Sequence, residues 1–386
     1  VKAMKEDEAK AAQKAARNGK AYQATPSEMA LHYLYIVAMD GTCVKLKAPA
    51  LNDMDYLLGK LKKMTGSLTI YGKAKAAMIL ALNYDYKTAA DYLKSMEEYS
   101  VYREDMGRYY DTRKAYYSWR NYKIPTEVAA IEALQALDAQ TISASLSASS
   151  AISKQQTIEE MQRWLLMSKR TQEWKDNPVN VVDAVYAFMQ GNEKNWNRQA
   201  DNAIFKLDGK TLPMPKDSTT LGYVKTERDG MATQLSIDKK SDYTSWGAVY
   251  AEVKQPISEI ANAESGIKVT RKVTSKAQVG DKVKVVLTIV ADRDYDFVKV
   301  IDRRAACLEP VNQLSGYQWG MGCYVAPHDD ATNFYFDRLS KGKHVVEIEY
   351  FVDRQGEYQS GSCSAQCTYS PEFCGREGGY QLRINN

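Results

Sequence analysis

One short segment of this sequence spaces its residues for a covalent chemistry: Cys363-Ser364-Ala365-Gln366 sets a thiol and a carboxamide three positions apart. An internal thioester forms where such a sulfur and carboxamide meet, and a tight turn at the start of a helix brings them together. The surrounding residues 361–369 read instead as a strand, on which side chains three apart point to opposite faces. The spacing therefore predicts no thioester here. Other reactive types are sparse. The histidines are His32, His328 and His344, none with a partner at ligand spacing, and no Cys-x-x-Cys occurs, so neither a metal site nor a cofactor is expected. No glycine-rich phosphate loop and no nucleophile elbow is present. Asp105 and Asp111, beside an aromatic-rich stretch, are candidates for a carboxylate pair of the glycosidase type, but solvated loop charges are the plainer reading. No catalytic residue is assigned.

Two further groups of residues are candidates for binding or cross-linking. Tyr109, Tyr110, Tyr116, Tyr117 and Trp119 lie within 99–122, a stretch whose aromatics follow no clean period. That stretch is expected to be a lid over one end of a helix stack, and these five rings are the expected contact surface. Five of six cysteines, Cys307, Cys323, Cys363, Cys367 and Cys374, fall near the end of the chain, which favours an oxidising compartment. Sequence leaves their connectivity open. Cys307 and Cys323 are the pair expected to bridge, because they flank the excursion 308–322.

The elements that position these groups change character near Gly191. Before it the apolar period is helical. Thr25-Pro26-Ser27-Glu28 reads as a capping box ahead of Leu31, Leu34, Tyr35 and Ala38, and Asn52 as the cap of the next stripe. Stripes follow through Ala74–Leu82, Ala89–Met96 and Ala130–Leu137, and after a second box at Thr157-Ile158-Glu159-Glu160, through Trp164 and Val181–Met189. About eight helices joined mostly by short loops predict a stack of antiparallel hairpins. After Gly191 the period is two: Asp208-Gly209 and Asp229-Gly230 are turn signals, 246–253 reads as a strand, and 255–266 reads as a linker. Val283, Val285, Leu287 and Ile289 then alternate with Lys282, Lys284 and Thr288, as in a half-buried strand of a sandwich. The fold class is α+β and multidomain, with helical hairpins over 1–191, a small β module over 192–255 and a β-sandwich over 266–386.

Composition narrows the partners. Lys plus Arg exceed Asp plus Glu by 52 − 48 = 4, and no basic stripe is interleaved with aromatics, so no nucleic-acid partner is expected. The opening Val1-Lys2-Ala3-Met4-Lys5 is neither a signal peptide nor a membrane span, and is read as a cut within a longer protein. No direct membrane insertion is expected.

Several segments carry a family resemblance. The runs 308–312 (LEPVN), 314–319 (LSGYQW), 331–339 (ATNFYFDRL) and 369–373 (YSPEF) resemble the C-terminal macroglobulin-like domain of bacterial alpha-2-macroglobulins. Upstream, 100–107 (SVYREDMG) and 164–172 (WLLMSKRTQ) resemble that family's helical α/α toroid. The resemblance implies a protease-trapping endopeptidase inhibitor of the cell envelope or periplasm, which collapses around a protease that cuts its bait segment. A signal or lipid anchor would lie in a preceding part. Its partners would be proteases, bound through the full-length protein, and other domains of the same polypeptide. The family's toroid usually carries Cys-Gly-Glu-Gln, whereas the lone cysteine of this helical part sits in Cys43-Val44-Lys45-Leu46. Covalent capture by this chain is therefore not expected. The resemblance further implies that the toroid is inserted into the small β module, whose first half would precede Val1. The rival reading is a helical-repeat and β-sandwich scaffold binding glycans or partner proteins.

Overall fold

A computed structural model describes residues 1–19, 27–40, 48–63, 68–110, 123–137, 154–171, 174, 178–189, 203–213, 226–240, 247–274 and 277–385. The chain divides into two compact units, one of Val1–Arg163 with Val179–Ala248 and one of Trp164–Pro178 with Val249–Asn386.

Eight α-helices are described: α1 (Lys2–Arg17), α2 (Glu28–Met39), α3 (Ala48–Leu61), α4 (Ile70–Leu82), α5 (Tyr86–Glu97), α6 (Lys123–Ala136), α7 (Lys154–Thr171) and α8 (Pro178–Met189). Helix α4 is the hub, packing against α2, α5 and α6 and burying Ile70, Ala74, Ala77, Met78 and Ile79. Its start is fixed by Thr69, whose Oγ1 accepts the Gly72 N–H at 3.1 Å. Three helix starts differ from expectation. Ser27 caps α2 by accepting the Ala30 N–H, while Thr25 and Pro26 lie outside the described residues. Asn52 sits inside α3 because Pro49 opens that helix earlier, in a first turn where its missing N–H costs nothing. Thr157 sits inside α7, which already begins at Lys154.

The stretch expected as a lid begins as a β-hairpin. Strands β1 (Ser100–Arg103) and β2 (Gly107–Tyr110) pair antiparallel, and residues 111–122 lie outside the described residues. A small sheet follows in the order β4-β3-β5, from β3 (Ile204–Leu207), β4 (Lys210–Thr211) and β5 (Leu235–Asp238). Its β3–β4 turn is Asp208-Gly209, both at positive φ, as a two-residue hairpin requires. Residues 247–253 form no strand, since no neighbouring strand pairs with them among the described residues.

The β-domain holds β6 (Ala263–Ser265), β7 (Ile267–Val273), β8 (Lys282–Ala291), β9 (Tyr295–Arg303), β10 (Leu308–Pro310), β11 (Gly316–Gln318), β12 (Cys323–Pro327), β13 (Ala331–Leu339), β14 (Gly342–Val352), β15 (Gly356–Gln359), β16 (Cys363–Cys367), β17 (Cys374–Glu377) and β18 (Gln381–Ile384). Its main ladder runs β10-β14-β8-β7-β6-β17-β16-β9-β13-β12-β11. The ladder folds back on itself: Thr332 on β13 bonds the Tyr350 hydroxyl on β14 at 2.9 Å, although six strands lie between those two. Strand β8 buries Val283, Val285, Leu287, Ile289 and Ala291, the alternation read from its residues. Each of these Val, Leu and Ile side chains contributes about 1.5–3 kcal/mol when fully buried. The segment read as a linker contains β6, which pairs with β17 and β7. Gly266 makes the corner into β7 at φ +73, where a Cβ would overlap the Tyr295 hydroxyl and lie 2.9 Å from Phe373 Cδ1.

Candidate functional site

The β1–β2 hairpin is held by charge. Arg108 on β2 is buried between two acids, donating to Glu160 Oε2 at 2.9 Å and Glu97 Oε1 at 3.3 Å, with the Tyr102 ring 5.8 Å away. Beneath it Tyr110 is buried, and its backbone N–H donates to Glu127 of α6. Burial pushes the Glu127 carboxyl well above the usual carboxylate range, so it keeps its proton, and burial likewise raises the Tyr110 phenol. Nearby, Lys73 of α4 is buried, donating to Ser95 Oγ at 2.6 Å with its ammonium 5.1 Å over the Tyr99 ring. Of the five expected contact rings, Tyr110 is buried and Tyr109 half-buried, while Tyr116, Tyr117 and Trp119 lie outside the described residues. Asp105 is exposed in the hairpin turn and tied to Arg103 at 3.0 Å, and Asp111 lies outside the described residues.

A second polar cluster joins four helices. Lys75 of α4 pairs with Glu132 of α6 at 3.0 Å and lies 3.8 Å over the Tyr35 ring of α2, whose hydroxyl donates to Glu132 at 3.3 Å. Asp183 of α8 feels both charges, and burial raises its carboxyl. The sequence signal for this cluster is the pair Lys73 and Lys75 inside an otherwise apolar helix.

In the β-domain the Cys-x-x-Gln spacing is laid along a strand, as its residues predict. On β16 Cys363 is buried and Gln366 exposed, and the Gln366 Nε2 donates to the Pro371 carbonyl at 3.1 Å. Sulfur and carboxamide thus sit on opposite faces of one strand. The five described thiols, Cys307 and Cys323 included, are free. Burial pushes the Cys323 thiol up to about 11 and raises those of Cys307, Cys363 and Cys367, so all four stay protonated and weakly nucleophilic at neutral pH. Cys43 lies outside the described residues.

Around Cys363 lies a densely connected polar cluster. Arg271 and Asp302 pair at 2.6 Å with both side chains 2% exposed. The same guanidinium donates to the Gly361 and Gly378 carbonyls at 2.9 Å and to Ser360 Oγ at 3.3 Å, and lies 4.5 Å from the Tyr380 ring centroid. The Arg271 backbone N–H donates to Glu377. Burial outweighs the attraction of Arg271 and leaves the Asp302 carboxyl raised. Both charges were missed in the sequence, yet the signal is there: Arg271 is in phase with Ile267 and Val269, and Asp302 with Val298 and Val300. Among the described residues, no three His, Cys, Asp or Glu side chains gather as a metal site would require, and no helix is long and apolar enough to cross a membrane.

Residues 257–372 match the family model described as the bacterial alpha-2-macroglobulin MG10 domain. Among solved structures, the chain is similar to trypsin-activated alpha-2-macroglobulin from Escherichia coli, at 11% identity and a TM-score of 0.45, over 92% of this chain and 27% of that one. It is similar to the porcine-elastase-activated Escherichia coli protein at 13% identity and 0.38, over 94% and 36%. It is also similar to Salmonella alpha-2-macroglobulin reacted with methylamine, at 14% identity and 0.29, over 92% and 25%. The chain thus spans between about a quarter and a third of those chains. No curated protein sequence matches it. The family read from the sequence, the bacterial alpha-2-macroglobulins, is the one this match returns, and the match rests on the C-terminal β-domain.

Proposed function

We propose that this chain is the toroid-to-C-terminus part of a bacterial alpha-2-macroglobulin-like endopeptidase inhibitor, acting as a binding and conformational module and not as a catalyst. The observation that carries the reading is the MG10 match over 257–372. Its working partners are proteases, held through the full-length protein, and the other domains of the same polypeptide, in the cell envelope or periplasm. Within it, 1–191 serves as the helical toroid, 192–255 as half of a β module into which the toroid is inserted, and the sandwich from about 257 onward as the terminal domain.

Trapping by this chain is non-covalent. The only Cys-x-x-Gln of the sequence lies along β16 with its two reactive groups on opposite faces, and its thiol is buried and protonated. The hairpin 100–110 and the rings that follow it are the proposed contact surface, with Tyr109 the half-buried member among the described residues and Tyr110 serving as its anchor. Incubating the full-length protein with a panel of endopeptidases tests the function. The expected result is a complex in which small chromogenic substrates are still cut while large protein substrates are spared. Equal protection of both substrate sizes, or of neither, would contradict it.

A further inference from the structure

Three tyrosines stand in one row on the outer face of the β-domain. Tyr317 is opposite Tyr324, Tyr324 opposite Tyr335, and Tyr335 opposite Lys299, on β11, β12, β13 and β9 in turn. All three tyrosines are exposed, while Phe334 and Phe336 on the other face of β13 are buried. Neighbouring strands lie about 4.8 Å apart, so the tyrosines follow one another at that step across the sheet. Trp319, just after β11, adds a fourth ring: it is 88% exposed and T-shaped on Tyr317, with centroids 4.7 Å apart. At the other end the row stops at Lys299, whose ammonium lies 5.6 Å from the Tyr335 ring centroid.

The chemistry of this face is narrow. Residues 311–327 hold no Asp, Glu, Lys or Arg, in a chain that is 26% charged. Leu314 is the one aliphatic residue beside the exposed Tyr317, Trp319, Tyr324 and Tyr335, whereas the exposed apolar residues of α2 and α8 are mostly Met, Ile and Val. The polar groups that accompany the rings are neutral: phenol hydroxyls, the indole N–H, and the side chains of Ser315 and Gln318. Asn333 donates to the Tyr335 hydroxyl at 3.2 Å, which leaves that hydroxyl its own proton to give to a ligand.

We infer that this row is a binding platform for a neutral glycan, an extended chain of equatorially linked pyranoses laid across β13, β12 and β11. The ring type selects a sugar. An aromatic face carries the negative side of its quadrupole. It attracts the C–H bonds of a pyranose, which the ring and hydroxyl oxygens polarise, more than the unpolarised C–H bonds of an aliphatic side chain. The spacing selects the linkage. An equatorially linked chain is straight and flat and advances by close to one strand step per sugar, so successive sugars meet successive rings. An axially linked glucan coils away from a flat face. Hydroxyls then find the neutral donors and acceptors beside the rings, and the lack of charge suits a ligand that has none. A flat face with few hydrogen bonds binds weakly, so affinity grows with the number of sugars that reach a ring. The site does not depend on the trapping function.

Affinity electrophoresis of the 386-residue chain tests this, through native gels that contain hydroxyethylcellulose or glycol chitin, with soluble starch as the axially linked comparison. The β-linked polymers should retard the wild type and starch should not. Trp319→Ala and Tyr324→Ala, each checked for an unchanged melting curve, should weaken the retardation about tenfold or more. If Tyr324→Ala does not fold, Trp319→Ala, at an exposed position, decides alone. A wild type that neither β-linked polymer retards would overturn the proposal. So would retardation that survives the substitutions, placing the site elsewhere, or equal retardation by starch, removing the selection by linkage. The full-length protein in the same gels should be retarded as well. Retardation of the 386-residue chain alone would mean that another domain of the polypeptide is seated on the row, and would overturn the proposal too.

Discussion

In the β-domain the inward face of β8, from Val283 to Ala291, is buried to the last residue, whereas on α8 Val179, Val182, Val185 and Met189 lie open to solvent, as do Met29, Ile36 and Met39 on α2. Buried charge is treated differently too. Arg271 and Asp302 face one another with carbonyls and a hydroxyl around them, while Glu127 in the helical unit forms no ion pair among the described residues and burial holds its proton on. The difference teaches where each region gets its order. A strand has two faces, so a period of two decides what is buried before any packing is specified. A helix that is apolar on every side, as α4 and α8 nearly are, leaves that decision to its neighbours.

The sharpest way to break this comparison is to remove one partner of the β-domain's buried pair. Asp302→Ala strands the Arg271 guanidinium and should cost about 3–5 kcal/mol, read as lost hydrogen-exchange protection along β7, β8 and β9 with α4 and α6 unchanged. Equal loss in both units would mean that they do not draw their stability separately. Next comes the corner before β7. Gly266→Ala puts a Cβ against Tyr295 and Phe373 at a positive φ, and should cost about 1–3 kcal/mol in the same exchange measurement. In the helical unit Thr69→Ala removes the α4 cap and should cost about 1 kcal/mol, seen as a lower denaturation midpoint for α4 and α6.

The pH dependence set by Glu127 is the most diagnostic of how the helical unit handles charge. The Glu127 carboxyl is raised in the folded state, so the fold binds its proton more tightly than the unfolded chain, whose value is near 4.5. Stability from this group is fully present below that value and is lost as pH rises toward the folded value. Glu127→Gln keeps the shape without the proton equilibrium. It should match the wild type below about pH 4.5 and exceed it increasingly as pH rises above that value, with chemical denaturation across pH as the readout. A variant less stable than wild type at every pH would mean that the carboxyl serves as an ion.

Much of this was legible in the residues. The alternation 282–289 gives β8 its two faces, Asp208-Gly209 gives its hairpin, and the strand character of 361–369 separates Cys363 from Gln366. Other features were hidden for physical reasons. Tyr102, Tyr109 and Tyr110 show no period because β1 and β2 are only four residues each, too short to display one. Strand β6 is three residues inside a stretch rich in linker signals, and its identity comes from pairing with β17, more than a hundred residues away. Residues 247–253 alternate like a strand but find no partner among the described residues. Asn52 and Thr157 are good capping residues, yet helices that start upstream absorb them. Arg271 and Asp302 were the readable omission, since each occupies an inward phase where a charge signals a buried pair.

The proposed function requires that no residue of this chain supply a covalent link to a protease, and methylamine tests that requirement most directly. Small amines open a thioester and release one thiol, so treating the native chain with methylamine should free no new thiol and leave its mass unchanged. One new thiol that maps to Cys363 or Cys43, with the mass gain of one amine on a glutamine, would contradict the account.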